Sequence, residues 1–351
     1  MLRPDLETLT VYSAHPVPPQ SDKLDANESP LDLPPILKEK LAHYLTHELL
    51  SHRYPDGMYA SLRQAIAQYA EVPTDWITIG NGSDELIRSL LVVAALTQGG
   101  ILVAEPTFSM YGILAQTLGI PVHRIPRNPA DWSWDLAAAC RAIAQEQIAV
   151  VFFVSPNSPT GNAPTVAELD WLRQLPPEIM VVIDEAYFEY AQTTLVPDLN
   201  QHPNWVVLRT FSKGLRLAAY RVGYAIAQPH LITALEKVRL PYNLPTISAH
   251  GALLALQHRE ELLADVPLLL QQRDRLYQAW SALSSQFGFQ IWPSHANFLY
   301  LRTAHDQGLQ EFLQQQNVWI RRTGGGLRIS IGTPEENQRL QKHFTQFWQT
   351  F

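Results

Sequence analysis

The chain has 351 residues, of which 46% are hydrophobic and 17% charged, and a formal net charge of −7. This length leaves room for two domains and a large core, and the composition is that of a soluble globular protein. The acidic balance, with no run of Lys and Arg, argues against nucleic-acid binding, and a single cysteine, Cys140, excludes an intrachain disulfide and the usual cysteine metal sites.

Met1-Leu2-Arg3-Pro4-Asp5 lacks the apolar core of a signal peptide, and no apolar stretch is long enough to span a bilayer. The histidines are scattered, without a His-x-x-x-His spacing that argues for zinc. A cytoplasmic protein without a metal is expected.

Residues 1–35 are rich in proline and polar residues and read as an N-terminal arm, with Asn27-Glu28-Ser29-Pro30 as a turn. A helix is expected near Pro34–Ser51, a break at Arg53-Tyr54-Pro55-Asp56-Gly57, and a helix again over Ala60–Tyr69. Strands and helices then alternate. Strands are expected at Trp76–Ile79, Ile101–Ala104, Ile148–Val154, Met180–Ile183, Val206–Leu208 and Val222–Ile226. Helices are expected from Gly80 through Leu96, near Met110–Leu118 and over Thr165–Leu175. Apolar strands alternating with helices argue for an α/β unit with a mostly parallel sheet covered on both faces, over residues 36–245. Beyond it the pattern changes. Long helices around Ser248–Ser284, short strands at Phe289–Trp292, Phe298–Leu301 and Leu327–Ile331, and a helix over Pro334–Phe347 predict a smaller α+β domain, residues 246–351, joined by the arm.

In an open α/β sheet the ligand site lies beyond the carboxyl ends of the strands, and several polar residues occupy such ends here. Lys213 follows Val206-Val207-Leu208-Arg209-Thr210-Phe211-Ser212, and Arg221 comes eight residues later. Lysine is rarely buried without a partner, and one good reason to bury it is imine chemistry with a carbonyl cofactor such as pyridoxal phosphate. Thr210, Ser212 and Arg221 suit a phosphate. Gly80-Asn81-Gly82-Ser83-Asp84-Glu85 lets backbone N–H groups approach an anion at a helix start, although many such turns are only caps. Asp184 ends an apolar strand, where it is either a turn residue or a partner for a pyridinium nitrogen; Tyr187 is either a core tyrosine or a donor to a phenolic oxygen. Phe108, beside Pro106, could stack on a ring, though a lone phenylalanine is more often core. Arg321 and Arg328 flank Gly324-Gly325-Gly326 and make a plausible anion pocket, whereas Arg322 points to the other face.

Taken in order, Arg53-Tyr54-Pro55, Gly80–Glu85, Ser158-Pro159-Thr160-Gly161, Asp184-Glu185-Ala186-Tyr187, Ser212-Lys213 with Arg221, and Gly326-Leu327-Arg328-Ile329-Ser330 make the chain resemble the fold-type-I aminotransferases that use pyridoxal 5'-phosphate, and within them the histidinol-phosphate aminotransferases. The resemblance covers nearly the whole chain. It implies an aspartate-aminotransferase-like fold with a seven-stranded sheet in the large domain. It also implies transamination of L-histidinol phosphate with 2-oxoglutarate, giving imidazole acetol phosphate and glutamate in histidine biosynthesis. A transaminase for aromatic amino acids and a decarboxylase for threonine phosphate are the alternatives; a cofactor-binding sensor module fits least.

The same resemblance implies site roles. Lys213 holds the cofactor and shuttles the proton, Asp184 meets the ring nitrogen and Tyr187 the phenolic oxygen. Gly82, Ser83 and Asp84 hold the phosphate with Thr210, Ser212 and Arg221, and Phe108 stacks on the ring. Tyr54 reaches the phosphate of a neighbouring subunit's cofactor, which makes the active unit a homodimer with shared sites. Tyr12, Asn27, Arg321 and Arg328 line the substrate pocket. Three positions depart from the family pattern. Ser158 stands where asparagine is usual, with Asn157 beside it, and either one contacts the cofactor oxygen. Arg216 and Ala219 stand where small residues are usual, and Phe108 where tyrosine is common.

Overall fold

The computed structural model describes residues 16–96 and 99–350. Its strands, in chain order, are β1 (Asp22–Lys23), β2 (Ile77–Asn81), β3 (Gly100–Glu105), β4 (Val122–Pro126), β5 (Ile148–Val154), β6 (Met180–Asp184), β7 (Trp205–Thr210), β8 (Val222–Ala227), β9 (Gln290–Trp292), β10 (Phe298–Arg302), β11 (Val318–Trp319), β12 (Arg321–Thr323) and β13 (Gly326–Ser330).

Seven strands form the large sheet in the order β2-β8-β7-β6-β5-β3-β4. β8 runs against both of its neighbours; the remaining pairs are parallel. Every residue of β5, β6, β7 and β8 is buried. Such continuous apolar runs need helices on both faces, since successive side chains point to opposite sides. Val151, Phe153, Val181, Ile183 and Val207 pack on one face with the helices Pro35–His47, Ala60–Ala70 and Val166–Arg173. Val150, Phe152, Val182, Val206 and Leu208 pack on the other with Gly82–Leu90, Met110–Thr117 and Pro229–Val238.

The second sheet is antiparallel, in the order β12-β13-β10-β9. Its core gathers Phe298, Leu299, Leu327 and Ile329 with Trp280, Leu313, Leu340 and Phe344 from the helices Val266–Phe287, Asp306–Gln315 and Pro334–Trp348. The arm joins this unit: β1 pairs in parallel with β11, and the Ser330 amide donates to Leu24 O at 2.9 Å. The helix Thr246–Gln257, expected to open the smaller domain, sets Ala252, Leu254, Ala255 and Leu256 into the core beside the large sheet. The hydrophobic contact follows its apolar composition, which carries no directional stripe for a sequence to reveal.

Candidate active site

The carboxyl ends of β5, β6 and β7 lie side by side and are cross-linked there: the Ser155 amide donates to Asp184 O at 2.9 Å and the Glu185 amide to Leu208 O at 2.8 Å. Asp184 ends β6, Ser155–Gly161 follows β5, and Lys213 lies three residues past β7. The topology thus collects residues distant in sequence at one sheet edge.

Lys213 is half-buried, and its Nζ donates to Ala26 O of the arm at 2.8 Å. Burial brings its amine down from 10.5 to about 7; Arg328 and Arg221 add to the fall, and Glu28 opposes it. The next residue must be small. A Cβ on Gly214 would stand 2.6 Å from Cβ of Glu189, so glycine alone lets the lysine-bearing turn pass that side chain.

Asp184 is buried and doubly held. Its Oδ2 accepts from Tyr111 Oη at 2.5 Å and its Oδ1 from the Ala186 amide at 3.0 Å. Burial lifts its carboxyl from 3.8 to about 6, against the pull of both hydrogen bonds. Tyr187, also buried, accepts at Oη from Nδ2 of Asn27 at 2.9 Å. Asn27 is completely enclosed: its Oδ1 accepts from Ser330 Oγ at 3.0 Å, and its carbonyl from Nδ2 of Asn297 at 3.1 Å.

The third element is the start of the helix Gly82–Leu90. Gly82 has φ +72°, a backbone conformation that side chains resist, and a Cβ there would lie 2.6 Å from the Arg221 guanidinium. Its amide donates to Arg221 O at 2.8 Å. Arg221 itself sits at φ +53°, and its guanidinium reaches Ser212 Oγ at 3.3 Å and Asp84 Oδ2 at 3.5 Å. Thr210 Oγ1 lies 3.0 Å from Ser212 Oγ. Two hydroxyls, one guanidinium and the amide end of a helix therefore converge, a donor set suited to an anion. Ser83 belongs to this first turn, where a Cβ on Gly223 would press its amide at 2.5 Å. Asp84 is raised by burial, with Arg221 and Lys213 pulling the other way.

Asn157 and Ser158 divide their duties. The Asn157 side chain accepts from Thr107 Oγ1 at 2.9 Å and Arg127 Nη2 at 3.0 Å, and donates to Pro106 O at 3.0 Å and Thr160 Oγ1 at 2.6 Å. Ser158 Oγ accepts from Arg328 Nη1 at 3.1 Å. Arg328 also donates to Asp25 O at 2.7 Å, so it joins the small sheet, the arm and the β5 loop. Arg321 is its register partner across β12 and β13, on the same sheet face, while Arg322 pairs with Asp306 at 3.1 Å. Phe108 is half-buried, edge-on to Tyr111 at 5.5 Å. Tyr54 is 80% exposed and stacks on Tyr242 at 4.6 Å. Tyr12 lies outside the described residues.

Three residues at this edge are given no role from the sequence. Tyr111 holds Asp184, Arg127 holds Asn157, and Arg209 forms a buried ion pair with Glu185 at 2.9 Å between two site-bearing strands. Arg209 carried a signal, since a charge inside an otherwise apolar strand needs a buried partner. Tyr111 carried none, for it falls in an ordinary helical stretch. Among the described residues no group of three or more His, Cys, Asp and Glu is placed to hold a metal, and no helix is long and apolar enough to cross a membrane.

Residues 22–344 match the family described as aminotransferase class I and II. The chain belongs to that family. A protein of Synechococcus sp. (strain JA-3-3Ab) named histidinol-phosphate aminotransferase is 54% identical over 349 residues, with 98% of this chain and 98% of that one covered. The solved structure of histidinol-phosphate aminotransferase from Sinorhizobium meliloti, in complex with pyridoxal-5'-phosphate, is similar with a TM-score of 0.85 at 22% identity, over 99% of this chain and 98% of that chain. L-threonine-O-3-phosphate decarboxylase from Porphyromonas gingivalis has a TM-score of 0.78 at 20% identity, over 93% and 99%. At these identities the structural likeness speaks for the aminotransferase fold alone, because one fold hosts several reactions.

Proposed function

We propose that this chain transfers the amino group of L-histidinol phosphate to 2-oxoglutarate with pyridoxal 5'-phosphate, yielding imidazole acetol phosphate and glutamate in histidine biosynthesis. The observation that carries this reading is the 54% identity, end to end, with a relative named for that reaction. The site is chemically apt for the cofactor: an amine near neutrality, a buried carboxylate, and a cluster of phosphate donors stand at one sheet edge.

The cofactor, when bound, supplies an aldehyde that links to amines and a ring that takes up the electron pair left on the substrate carbon. Lys213 Nζ would anchor it and, once displaced by the substrate amine and neutral, would take the proton from the substrate Cα and deliver it to the former aldehyde carbon across the linking nitrogen. An amine brought to about 7 is substantially neutral at cellular pH, so it can act as a base there. Arg221, Thr210, Ser212 and the turn Gly82-Ser83-Asp84 hold the phosphate. Asp184 accepts from the ring nitrogen, Tyr187 meets the phenolic oxygen, and Phe108 covers a ring face. Of Asn157 and Ser158, the second suits that oxygen better. The Asn157 amide is already engaged by four protein groups, whereas Ser158 accepts from Arg328 and keeps its own proton to donate.

Tyr12, Asn27, Arg321 and Arg328 line the substrate side of this reading. Two guanidinium groups on one face serve a phosphate in the first half-reaction and carboxylates in the second, since the same fork fits either oxyanion. The active unit is a homodimer, to which Tyr54 contributes across the interface. Exposed Tyr54 and Tyr242, stacked on each other at 4.6 Å, support it by offering a paired aromatic surface to a second copy. A cytoplasmic setting completes the reading, supported by a lone unpaired cysteine, Cys140.

The test is an assay of the purified protein with histidinol phosphate and 2-oxoglutarate, run beside phenylalanine, tyrosine and threonine phosphate as donors. Glutamate formation is expected with histidinol phosphate at the highest kcat/KM. Carbon dioxide release from threonine phosphate, or a preference for the aromatic amino acids, overturns the substrate.

A further inference from the structure

The least expected contact at the site is the one behind Asp184. Tyr111 is fully enclosed in the first turn of the helix Met110–Thr117, and its ring lies flat on Phe152 of β5, with centroids 4.5 Å apart at 16°. Phe108 meets the same ring edge-on at 5.5 Å and 81°. Clamped in this way, the phenol donates to Oδ2 of Asp184 at 2.5 Å.

We propose that Tyr111 is a positioning residue for Asp184: its phenol fixes the carboxylate and holds it ionised, ready to accept from the cofactor's ring nitrogen. This inference rests on the role given to Asp184 above. The physical reason is local. Two hydrogen-bond donors serve the carboxylate, Tyr111 Oη and the Ala186 amide. Donors to the ionised form favour it, and burial opposes it. The charged groups that act on Asp184 are acids: Asp84 from the helix Gly82–Leu90 and its own neighbour Glu185, each tempered by an arginine, Arg221 and Arg209. Among the described residues no cation is paired with Asp184, which leans on its two donors. Removing the phenol leaves one, and the carboxyl then keeps its proton to a higher pH. A protonated Asp184 offers the ring nitrogen no charge to pair with.

The test uses cofactor-free protein and pyridoxamine 5'-phosphate, which has no aldehyde and so makes no link to Lys213. Its dissociation constant is measured from acid to mildly alkaline pH for the wild type, Tyr111→Phe and Asp184→Asn, with thermal unfolding of each to confirm the fold. Lys213 and the ligand phosphate titrate alike in all three, so the differences report on Asp184. In Tyr111→Phe the pH at which affinity is lost should rise by about one unit, with binding near pH 7 weakened up to about tenfold and restored at higher pH. Asp184→Asn should bind weakly without that step. Loss at the wild-type pH, or an equal weakening at every pH, overturns the role of Tyr111. If Asp184→Asn keeps the wild-type profile, the reading of Asp184 itself fails, and the proposal falls with it.

Discussion

Arg321 and Arg328 are register partners on β12 and β13, so two arginine side chains leave the same sheet face side by side. Like charges so placed repel, and an anion bound between them relieves the repulsion. Arg328 is also tied to Ser158 and to the carbonyl of Asp25. Arg328→Ala is therefore expected to raise KM for histidinol phosphate and for 2-oxoglutarate together, each by roughly tenfold to a hundredfold, the usual loss for a charge-assisted contact. Steady-state kinetics with each substrate varied in turn checks this; an unchanged KM for both removes the residue from the pocket.

Lys213→Ala should abolish multiple turnovers and leave the fold intact. In the wild type, the free amine must be neutral to take a proton, and its value is brought down to about 7. The acid limb of the kcat profile, which reports the substrate-bound enzyme in which the amine is free, should show that requirement, activity rising with pH through the neutral range. The same shift acts on stability with a definite sign. Between about 7 and 10.5 the unfolded chain binds more protons than the folded one, so the cofactor-free protein should gain stability as pH rises through that window. Replacing Lys213 should remove that part of the slope in denaturant titrations.

Glu189 tests the opposite case. It is buried against Gly214, accepts from Tyr69 Oη at 3.4 Å, and burial lifts it from 4.5 to about 7. A raised carboxyl is protonated more readily in the folded state, so folding is progressively penalised as pH climbs from 4.5 to 7, and the penalty stays complete above that. Glu189→Gln removes the charge and is expected to stabilise the protein at pH 8 by on the order of 1–3 kcal/mol, with little effect at pH 5. Urea unfolding at the two pH values checks the sign.

Gly214→Ala places a methyl 2.6 Å from Cβ of Glu189, next to the lysine. The expected cost is about 1–3 kcal/mol, typical of overpacking. Because the strain falls on the turn that carries Lys213, cofactor retention should fall along with the melting temperature. A variant that melts lower yet holds the cofactor as tightly as before would show that the turn yields elsewhere.

Shared sites make a sharper prediction than assembly alone. Lys213→Ala and Tyr54→Ala chains, each impaired, should recover activity when mixed and allowed to exchange. A mixed dimer contains one site with both residues intact, so about a quarter of all sites are restored by random exchange. No gain on mixing, in a sample shown to have exchanged, places Tyr54 outside the site.

The central architecture was legible in the chain because β5 to β8 are unbroken apolar runs, which only a sheet covered on both sides can bury. β4 was not. It is an edge strand with Ile125 as its one buried residue, so Val-His-Arg-Ile-Pro shows neither an apolar run nor a clean alternation. The helix Leu136–Gln145 hid for a related reason: its alanines offer little contrast, and Ala139 is its one buried residue. At the site, Lys213, Asp184 and Arg221 were readable because polar groups ending apolar strands need partners. Tyr111 and the arm's carbonyls were not, since their roles come from tertiary contact. The backbone oxygens of Asp25 and Ala26 carry no side-chain code, yet they accept from Arg328 and Lys213.

Those two oxygens and Asn27 give the arm a part in the chemistry. Asn27 is fastened to Tyr187 beside the large sheet and to Ser330 and Asn297 in the small one. Three consecutive residues thus bind Lys213, Arg328 and both halves of the cleft into one seam. Under the proposed roles, a shift of one half relative to the other would pull on Lys213 and Arg328 at once, coupling grip on the substrate to readiness of the base.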